Sequence, residues 1–183
     1  MTARGLARAV DAAALSSLGR PQGVPVRLAI AISAATRGGL AWHVTSATLL
    51  ATRRSTPQRV AVAGSMAWAA TSLVAGCLKR VARRRRPRLG AVGPPVRTSS
   101  MPSSHTATAF AFATAAVFQH PAAASLLLPA AAVGWSRLRT RRHFPTDVVA
   151  GVVLGVILGG LIGVGVRAAH RGETLIAEEG SRG

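Results

Sequence analysis

The chain of 183 residues carries 23 Lys and Arg against 5 Asp and Glu, a formal net charge of +18, yet 49 % of its residues are hydrophobic. A disordered basic tail would be poor in apolar residues, and a soluble basic domain rarely contains long uncharged apolar runs, so the composition indicates a membrane protein. The single cysteine, Cys77, excludes an internal disulfide framework and a multi-cysteine metal site.

The first 19 residues predict an amphipathic helix that lies in the headgroup region of a membrane. Leu6, Val10, Ala14 and Leu18 recur at four-residue intervals, and the charged side chains occupy other faces. A cleaved signal peptide is the alternative. Its apolar core would be short, Asp11 interrupts it, and no persuasive cleavage site follows, so the interfacial helix is favoured.

Uncharged stretches predict the membrane spans. Residues 60–78 and 148–166 each form about 28 Å of helix at roughly 1.5 Å per residue, which is enough to cross a bilayer. Residues 98–136 lack Lys, Arg, Asp and Glu and are too long for one crossing. The sequence at 119–121 contains a proline and interrupts this stretch, which predicts a hairpin of two spans.

The stretch before these spans is less regular. Residues 28–52 are apolar apart from Arg37 and the pair Gly38 and Gly39, so they form one broken or tilted span, or a short span after an interfacial segment. The predicted fold is an all-α helical membrane bundle with four spans and one or two more before them. It is a single domain over 1–183, with the interfacial helix at 1–19, the bundle at 28–166 and a polar, mobile tail at 167–183.

The last span contains a glycine at every fourth residue. These are Gly151, Gly155, Gly159 and Gly163. Such a face lets another helix approach closely. Packing within the chain is favoured, and a homo-oligomer formed through this face is the alternative.

Alternating spans would bring three polar clusters to one side of the membrane. They read KRVARRRRP from Lys79, PSSH from Pro102, and SR at Ser136 followed by His143 and Asp147. Each cluster alone has an ordinary explanation. An Arg-rich run is usually a membrane anchor, Pro-Ser-Ser is a helix start, and a His and an Asp four residues apart share a helix face.

The joint pattern K-x6-R-P, P-S-x-H and S-R-x5-H-x3-D resembles the three-part signature of the type 2 phosphatidic acid phosphatase (PAP2) superfamily. Two departures exist. The family usually has glycine where Ser104 stands, which lets backbone N–H groups approach a phosphate, and its membrane-bound members commonly have six spans. The matched residues are Lys79, Arg86, Pro87, Pro102, Ser103, His105, Ser136, Arg137, His143 and Asp147.

The resemblance implies a phosphatase that works through a phosphohistidine intermediate. His143 would be the nucleophile, Asp147 would hold its far ring nitrogen, and His105 would be the general acid and later the base. The residues expected to bind the phosphate are Lys79, Arg86, Ser103, Ser104 and Arg137. No cofactor and no metal are expected, since Asp147 is the only carboxylate between Asp11 and Glu173.

A site at the end of spanning helices accepts a headgroup while the tail stays among the helices, so a lipid phosphate with a diacylglycerol or polyprenyl tail is the predicted substrate. Of the 23 Lys and Arg, 17 fall on the active side or its N-terminal approach, which predicts a cytoplasmic site in a bacterial plasma membrane. Among small relatives the chain is most similar to the decaprenylphosphoryl-5-phosphoribose phosphatases of cell-wall arabinan synthesis. Phosphatidylglycerophosphate and undecaprenyl pyrophosphate are alternative substrates, and the latter favours an outward-facing site.

Three other classes compete with a membrane phosphatase. A catalytically silent relative would bind anionic lipid or a partner protein, but the complete set of His105, His143 and Asp147 argues against it. A nucleic-acid-binding protein is disfavoured because the arginines lie at span ends without interleaved aromatic residues. Soluble vanadium haloperoxidases share the cluster pattern, but this short apolar chain lacks their bulk.

Overall fold

Helices form all of the regular structure in the described parts of the chain. The computed structural model describes residues 3–19, 21–87, 90–93 and 96–180, and it contains no strand in these ranges. The predicted all-α architecture is therefore confirmed. The helices are α1 (Ala3–Ser17), α2 (Gly23–Ala35), α3 (Leu40–Ala51), α4 (Ser55–Ala82), α5 (Ser104–Gln119), α6 (Leu127–Arg139) and α7 (Pro145–Gly180).

Helices α4 and α7 are long and apolar enough to cross a membrane, and they contain the predicted spans 60–78 and 148–166. Their outward faces carry large apolar side chains. Leu73 is 74 % exposed and Leu161 is 66 % exposed, so these side chains are available to lipid and do not contribute to an internal core. Pro145 begins α7 with its φ preset and no amide hydrogen to satisfy.

Helices α5 and α6 form a hairpin whose break lies where the sequence places it, while the crossing of the membrane by each of them stays a prediction. Helix α5 ends at Gln119, a 3-10 segment covers Pro121–Leu126, and α6 follows. The buried face of α5 consists largely of alanine with Phe112 at its centre, so α4, α6 and α7 can all pack closely against it. Helix α5 is thus the central element of the bundle.

Residues 28–52 are broken into two helices, a feature that a broken span and a short span after an interfacial segment share, so the choice between them stays a prediction. Helices α2 and α3 are separated by the 3-10 turn Arg37–Gly39. Gly39 has φ +82°, and a Cβ there would lie 2.5 Å from the Trp68 ring. Glycine is therefore required at this position both by the backbone conformation and by the close approach of α4.

The tail prediction needs correction. The polar segment from Arg167 is not separate from the last helix but continues α7 as helix to Gly180, and its mobility stays a prediction. No proline interrupts it, and its three alanines, two arginines and three glutamates favour helix. The last three residues of the predicted tail lie outside the described residues.

The glycine face of α7 packs against α5 of the same chain. A Cβ at Gly151 would lie 2.8 Å from the Ser103 carbonyl oxygen, and one at Gly159 would lie 2.5 Å from the Ala111 carbonyl oxygen. A Cβ at Gly163 would lie 2.9 Å from Cβ of Phe118. The face is used internally, so it is not free for the homo-oligomer contact that was the alternative.

Helix α1 is present as predicted, but Asp11 is buried, whereas a helix lying in the headgroup region would keep its charged side chains exposed. Asp11 is 1 % exposed and points into the bundle together with Leu15. Leu6 and Val10 are exposed, at 55 % and 49 %. The helix therefore rests on the bundle through a buried carboxylate and presents apolar side chains outward.

We expect Gly159→Ala to destabilise the protein by about 1–3 kcal/mol, because its methyl group would push against the α5 backbone. Gly165→Ala is the matched control in the same helix, since a Cβ there meets no atom within 4 Å. The control should leave stability unchanged or raise it by up to about 1 kcal/mol. Thermal unfolding in detergent measures both, and equal melting temperatures would contradict this account of the seam.

Candidate active site

The three polar clusters meet at one end of the bundle. Lys79 is in the last turn of α4, Ser104 and His105 begin α5, Arg137 is near the end of α6, and His143 precedes α7. Nη1 of Arg86 lies 3.0 Å from Nε2 of His143. Residues separated by more than 50 positions thus form one group of side chains.

His143 is almost fully buried and is held at both ring nitrogens. Its Nδ1 lies 2.7 Å from the Ser100 carbonyl oxygen, and its Nε2 faces the Arg86 guanidinium. A carbonyl oxygen only accepts hydrogen bonds, so Nδ1 carries the proton and donates it to Ser100. The lone pair of the neutral ring is therefore on Nε2, where Arg86 donates to it.

The contact predicted between Asp147 and the far nitrogen of His143 is longer than a hydrogen bond. Oδ2 of Asp147 lies 3.7 Å from Nδ1, and the hydrogen bond from Nδ1 goes to the Ser100 carbonyl. Oδ2 accepts the Phe144 amide at 2.9 Å, while Oδ1 accepts Nη1 of Arg84 at 2.8 Å. Asp147 therefore acts on the imidazole through its charge, and the backbone carbonyl fixes the tautomer.

The surroundings of His143 keep its ring neutral. Burial is the main cause, and with the nearby cations Arg86 and Lys79 it lowers the pKa of His143 to about 4, although Asp147 acts in the opposite direction. At neutral pH the ring is thus in its nucleophilic form.

Backbone carbonyls of residues 98–99 orient two of the predicted phosphate-binding cations. Nζ of Lys79 donates to the Ser99 carbonyl at 2.9 Å. Arg86 donates to the carbonyls of Thr98 at 3.0 Å, Ser99 at 3.2 Å and Arg142 at 2.8 Å. Carbonyl oxygens carry only partial charge, so both cations retain most of their attraction for an anion.

Arg137 is the third predicted cation, and it is only 4 % exposed. Its Nη2 is buried, and no described residue forms a hydrogen bond with it. Buried donors are nearly always satisfied, and an unpartnered guanidinium nitrogen beside two further cations suits a phosphate oxygen. This donor is the clearest local sign that the site binds an anion.

The start of α5 contributes in a different way from that predicted for Ser103. Its hydroxyl lies 3.0 Å from Oγ1 of Thr106, and its amide donates to the Asp147 carbonyl at 3.0 Å, so Ser103 joins α5 to α7. Ser104 and His105 follow in the first turn of this 16-residue helix and are partly exposed. Among the described residues, none hydrogen-bonds to the His105 imidazole. It lies in electrostatic range of Lys79, Arg86, Arg137 and His143.

Two functional neighbours of the site have no part in the sequence pattern. Arg84 donates to both Asp147 and Asp11, and its guanidinium lies 4.6 Å from the centre of the Phe144 ring. Nothing distinguishes Arg84 from the other arginines of its run. For Asp11 a signal did exist, because a lone carboxylate in so basic a chain has many cations with which to pair.

A basic cavity of about 720 Å³ opens beside Lys79 and Arg86. It does not reach His143 or His105, so it extends the site and does not contain the reacting groups. Among its described lining residues are several further arginines and no carboxylate. These arginines are Arg83, Arg84, Arg85, Arg97, Arg141 and Arg142.

Comparisons with known proteins identify a matching family and a solved structure with a similar fold. The model of the PAP2 superfamily matches residues 60–171. The fold is similar to the crystal structure of a transmembrane PAP2-type phosphatidylglycerolphosphate phosphatase from Bacillus subtilis, with a TM-score of 0.63 and 22 % identity over 87 % of this chain and 83 % of that one. The comparison with curated proteins gave no match.

Proposed function

Because the chain belongs to the PAP2 superfamily, we propose that it is a membrane lipid phosphatase that hydrolyses a phosphomonoester through a phosphohistidine intermediate. The observation that carries this proposal is the setting of His143. Its Nε2 lone pair faces the Arg86 guanidinium at 3.0 Å, and its Nδ1 proton is held by a backbone carbonyl. The ring is oriented for attack on a phosphorus atom bound by the neighbouring cations.

In the first step the substrate phosphate takes the place of Nε2 as the acceptor for Arg86. A charged phosphate oxygen is a stronger acceptor than an imidazole nitrogen, so binding frees the Nε2 lone pair. Lys79, Arg137 and the amide groups at the start of α5 bind the remaining oxygens. Nε2 then forms a bond to phosphorus, and the bond to the lipid oxygen breaks. His105, which takes up a proton when the anionic phosphate binds beside it, gives that proton to the departing oxygen.

The phosphorylated ring carries a positive charge, since Nδ1 keeps its proton. The Ser100 carbonyl at 2.7 Å and the Asp147 carboxylate at 3.7 Å both stabilise that charge. In the second step His105 accepts a proton from water, and the water oxygen attacks phosphorus. The N–P bond breaks, its electrons return to Nε2, and inorganic phosphate leaves.

We propose that no metal takes part in these steps. Each negative oxygen of the reacting phosphate has a cationic partner in Lys79, Arg86 or Arg137, which supply the stabilisation that a metal would otherwise give. Both oxygens of Asp147 already accept hydrogen bonds from Arg84 and Phe144, so this carboxylate is occupied.

The basic cavity supports a substrate with a second anionic group. Arg85 and Arg97 line it with exposed side chains that make no hydrogen bond to the part of the chain that the structure describes, and Arg142 adds a third charge. A lipid whose headgroup joins a phosphodiester to a terminal phosphomonoester would place one group at His143 and the other in the cavity. Decaprenylphosphoryl-5-phosphoribose and phosphatidylglycerophosphate share this chemistry, and the first is the substrate we favour. Undecaprenyl pyrophosphate, with adjacent phosphates, is the alternative.

We expect His143→Ala to reduce phosphate release from a lipid phosphomonoester by at least about a thousandfold, because the nucleophile is removed. The purified protein is assayed in detergent with EDTA, which should leave the wild-type rate unchanged. An alkaline quench after reaction with ³²P-labelled substrate should trap phosphohistidine in the wild type but not in the variant. His170→Ala, at the far end of α7, is the matched control.

His105 gives this experiment a second arm. In His105→Gln, a substrate with a good leaving group such as p-nitrophenyl phosphate should still phosphorylate His143, and the phosphoenzyme should accumulate because no base activates water.

Full activity of His143→Ala would contradict the mechanism. A folded wild-type protein that releases no phosphate from any lipid in the panel would favour the catalytically silent alternative.

The cavity predicts a difference between substrates. In the double variant Arg85→Gln, Arg97→Gln, we expect KM to rise about thirtyfold for lipids with both a phosphodiester and a phosphomonoester, because the two lost charge pairs contribute about 1 kcal/mol each. KM for phosphatidic acid, which lacks the second group, should change less than twofold. Arg80→Gln is the control at an exposed arginine outside the cavity. An equal rise for both lipids would contradict a second anion site.

We propose that the site faces the cytoplasm of a bacterial plasma membrane, because most of the arginines lie at this end of the bundle. In a Cys77→Ser background, a membrane-impermeant maleimide should label Val96→Cys only in inverted vesicles. Ser55→Cys, at the opposite end of α4, should be labelled in intact cells. Labelling of Val96→Cys in intact cells would reverse the orientation.

A further inference from the structure

Helix α1 contributes a buried carboxylate next to the proposed active site, although it lies outside the family signature. Both oxygens of Asp11 are occupied. Oδ1 accepts the Thr146 amide at 3.1 Å, and Oδ2 accepts the Thr146 hydroxyl at 2.9 Å and Nη2 of Arg84. Thr146 is adjacent to Asp147, so α1 is attached directly to the start of α7.

Arg84 joins the two aspartates. Its Nη1 donates to Oδ1 of Asp147 at 2.8 Å and to the Thr146 hydroxyl at 2.6 Å, while Nη2 reaches Asp11. The planar guanidinium therefore bridges two carboxylates and packs on the Phe144 ring. Since Asp147 lies 3.7 Å from Nδ1 of His143, a continuous path of charged contacts leads from α1 to the nucleophile.

A second set of contacts fixes the other end of α1. Nη1 of Arg139 donates to the Leu18 carbonyl at 2.7 Å, and Nη2 of Arg141 donates to the carbonyls of Leu15 at 3.2 Å and Gly19 at 2.8 Å. Cations are favourable at a helix C-terminus, where carbonyls lack partners within the helix. Arg139 and Arg141 lie in the segment that leads to His143, so α1 is attached on both sides of the nucleophile.

We propose that α1 is a structural part of the active site and that Asp11 and Arg84 are positioning residues, which hold the Asp147 carboxylate beneath the imidazole of His143. This inference rests on the proposed function. With Asp11 neutralised, Arg84 is free to form a closer pair with Asp147 alone, which draws that carboxylate away from the ring. The cations proposed to bind the reacting phosphate are Lys79, Arg86 and Arg137, and none of them touches Asp11, so binding of that phosphate is left intact.

The test uses the full chain and phosphatidic acid, a lipid without a second anionic group, because Arg84 also lines the basic cavity. We expect Asp11→Asn to lower kcat about tenfold or more with KM changed less than twofold, because Asp147 matters most when the phosphorylated ring is charged. In a rapid-quench experiment, phosphohistidine should form more slowly by the same factor. Arg84→Lys should show the same pattern, since an ammonium group cannot bridge both carboxylates.

A double-variant cycle separates positioning from general loss of stability. If Asp11 acts through Arg84, the variant with both Asp11→Asn and Arg84→Gln should be no slower than the worse single variant, whereas independent effects would multiply. Arg80→Gln and Ser17→Ala are the controls, at exposed positions near Arg84 and on α1, and both should keep the wild-type kcat. Size-exclusion chromatography and melting curves identify any variant that fails to fold. If Asp11→Asn is unstable, Arg84→Lys still tests the inference, because it keeps the positive charge beside the two aspartates.

The outcomes distinguish this inference from the function on which it rests. Wild-type kcat in both Asp11→Asn and Arg84→Lys, with His143→Ala inactive, would overturn the inference alone. A rise in KM with kcat unchanged would also overturn it, since Arg84 would then belong to substrate binding. Full activity of His143→Ala would overturn the proposed function itself.

Discussion

A shortage of negative charge governs how this site is built. The chain has 23 basic residues and five acidic ones, so most buried cations cannot pair with a carboxylate. Backbone carbonyls take that role, with those of Thr98, Ser99 and Ser100 orienting Arg86, Lys79 and His143. Carbonyls fix the direction of a cation without neutralising it, whereas a full salt bridge would cancel its charge. The cluster therefore keeps a positive potential that favours an anion such as the phosphate of the proposed substrate.

The two buried carboxylates have a different task, since neither pairs with a cation expected to bind the phosphate. Asp147 and Asp11 both pair with Arg84. Removing one partner from such a buried group leaves an uncompensated charge, which typically costs about 3–5 kcal/mol. The network thus stabilises the junction of α1, α4 and α7, and the same contacts determine where the Asp147 charge lies relative to His143.

The sequence was most informative where local physics decides structure. The length of the uncharged stretches indicated α4 and α7, and the proline at 121 indicated the break of the hairpin. The alternation of the helices predicted that Arg86, His143 and Asp147 lie at one end of the bundle. Other features depend on long-range contacts. The Ser100 carbonyl, which takes the hydrogen bond expected of Asp147, has no side-chain signature, and Asp11 meets Thr146 only because α1 folds back over 135 positions. The continuation of α7 beyond Arg167 was missed because polarity was taken as the end of a helix.

Helix α7 has 36 residues and is therefore about 54 Å long, whereas the hydrocarbon core of a bilayer is about 30 Å thick. With Pro145 near one membrane surface, the helix is too long to end at the other. Its polar final turns, from Arg167 onward, would emerge on the opposite side as a rod about 20 Å long, at 1.5 Å per residue. If α7 tilts against α5, the end of this extension moves farther than the residues within the bundle. A distance probe attached there would therefore report helix movement during turnover.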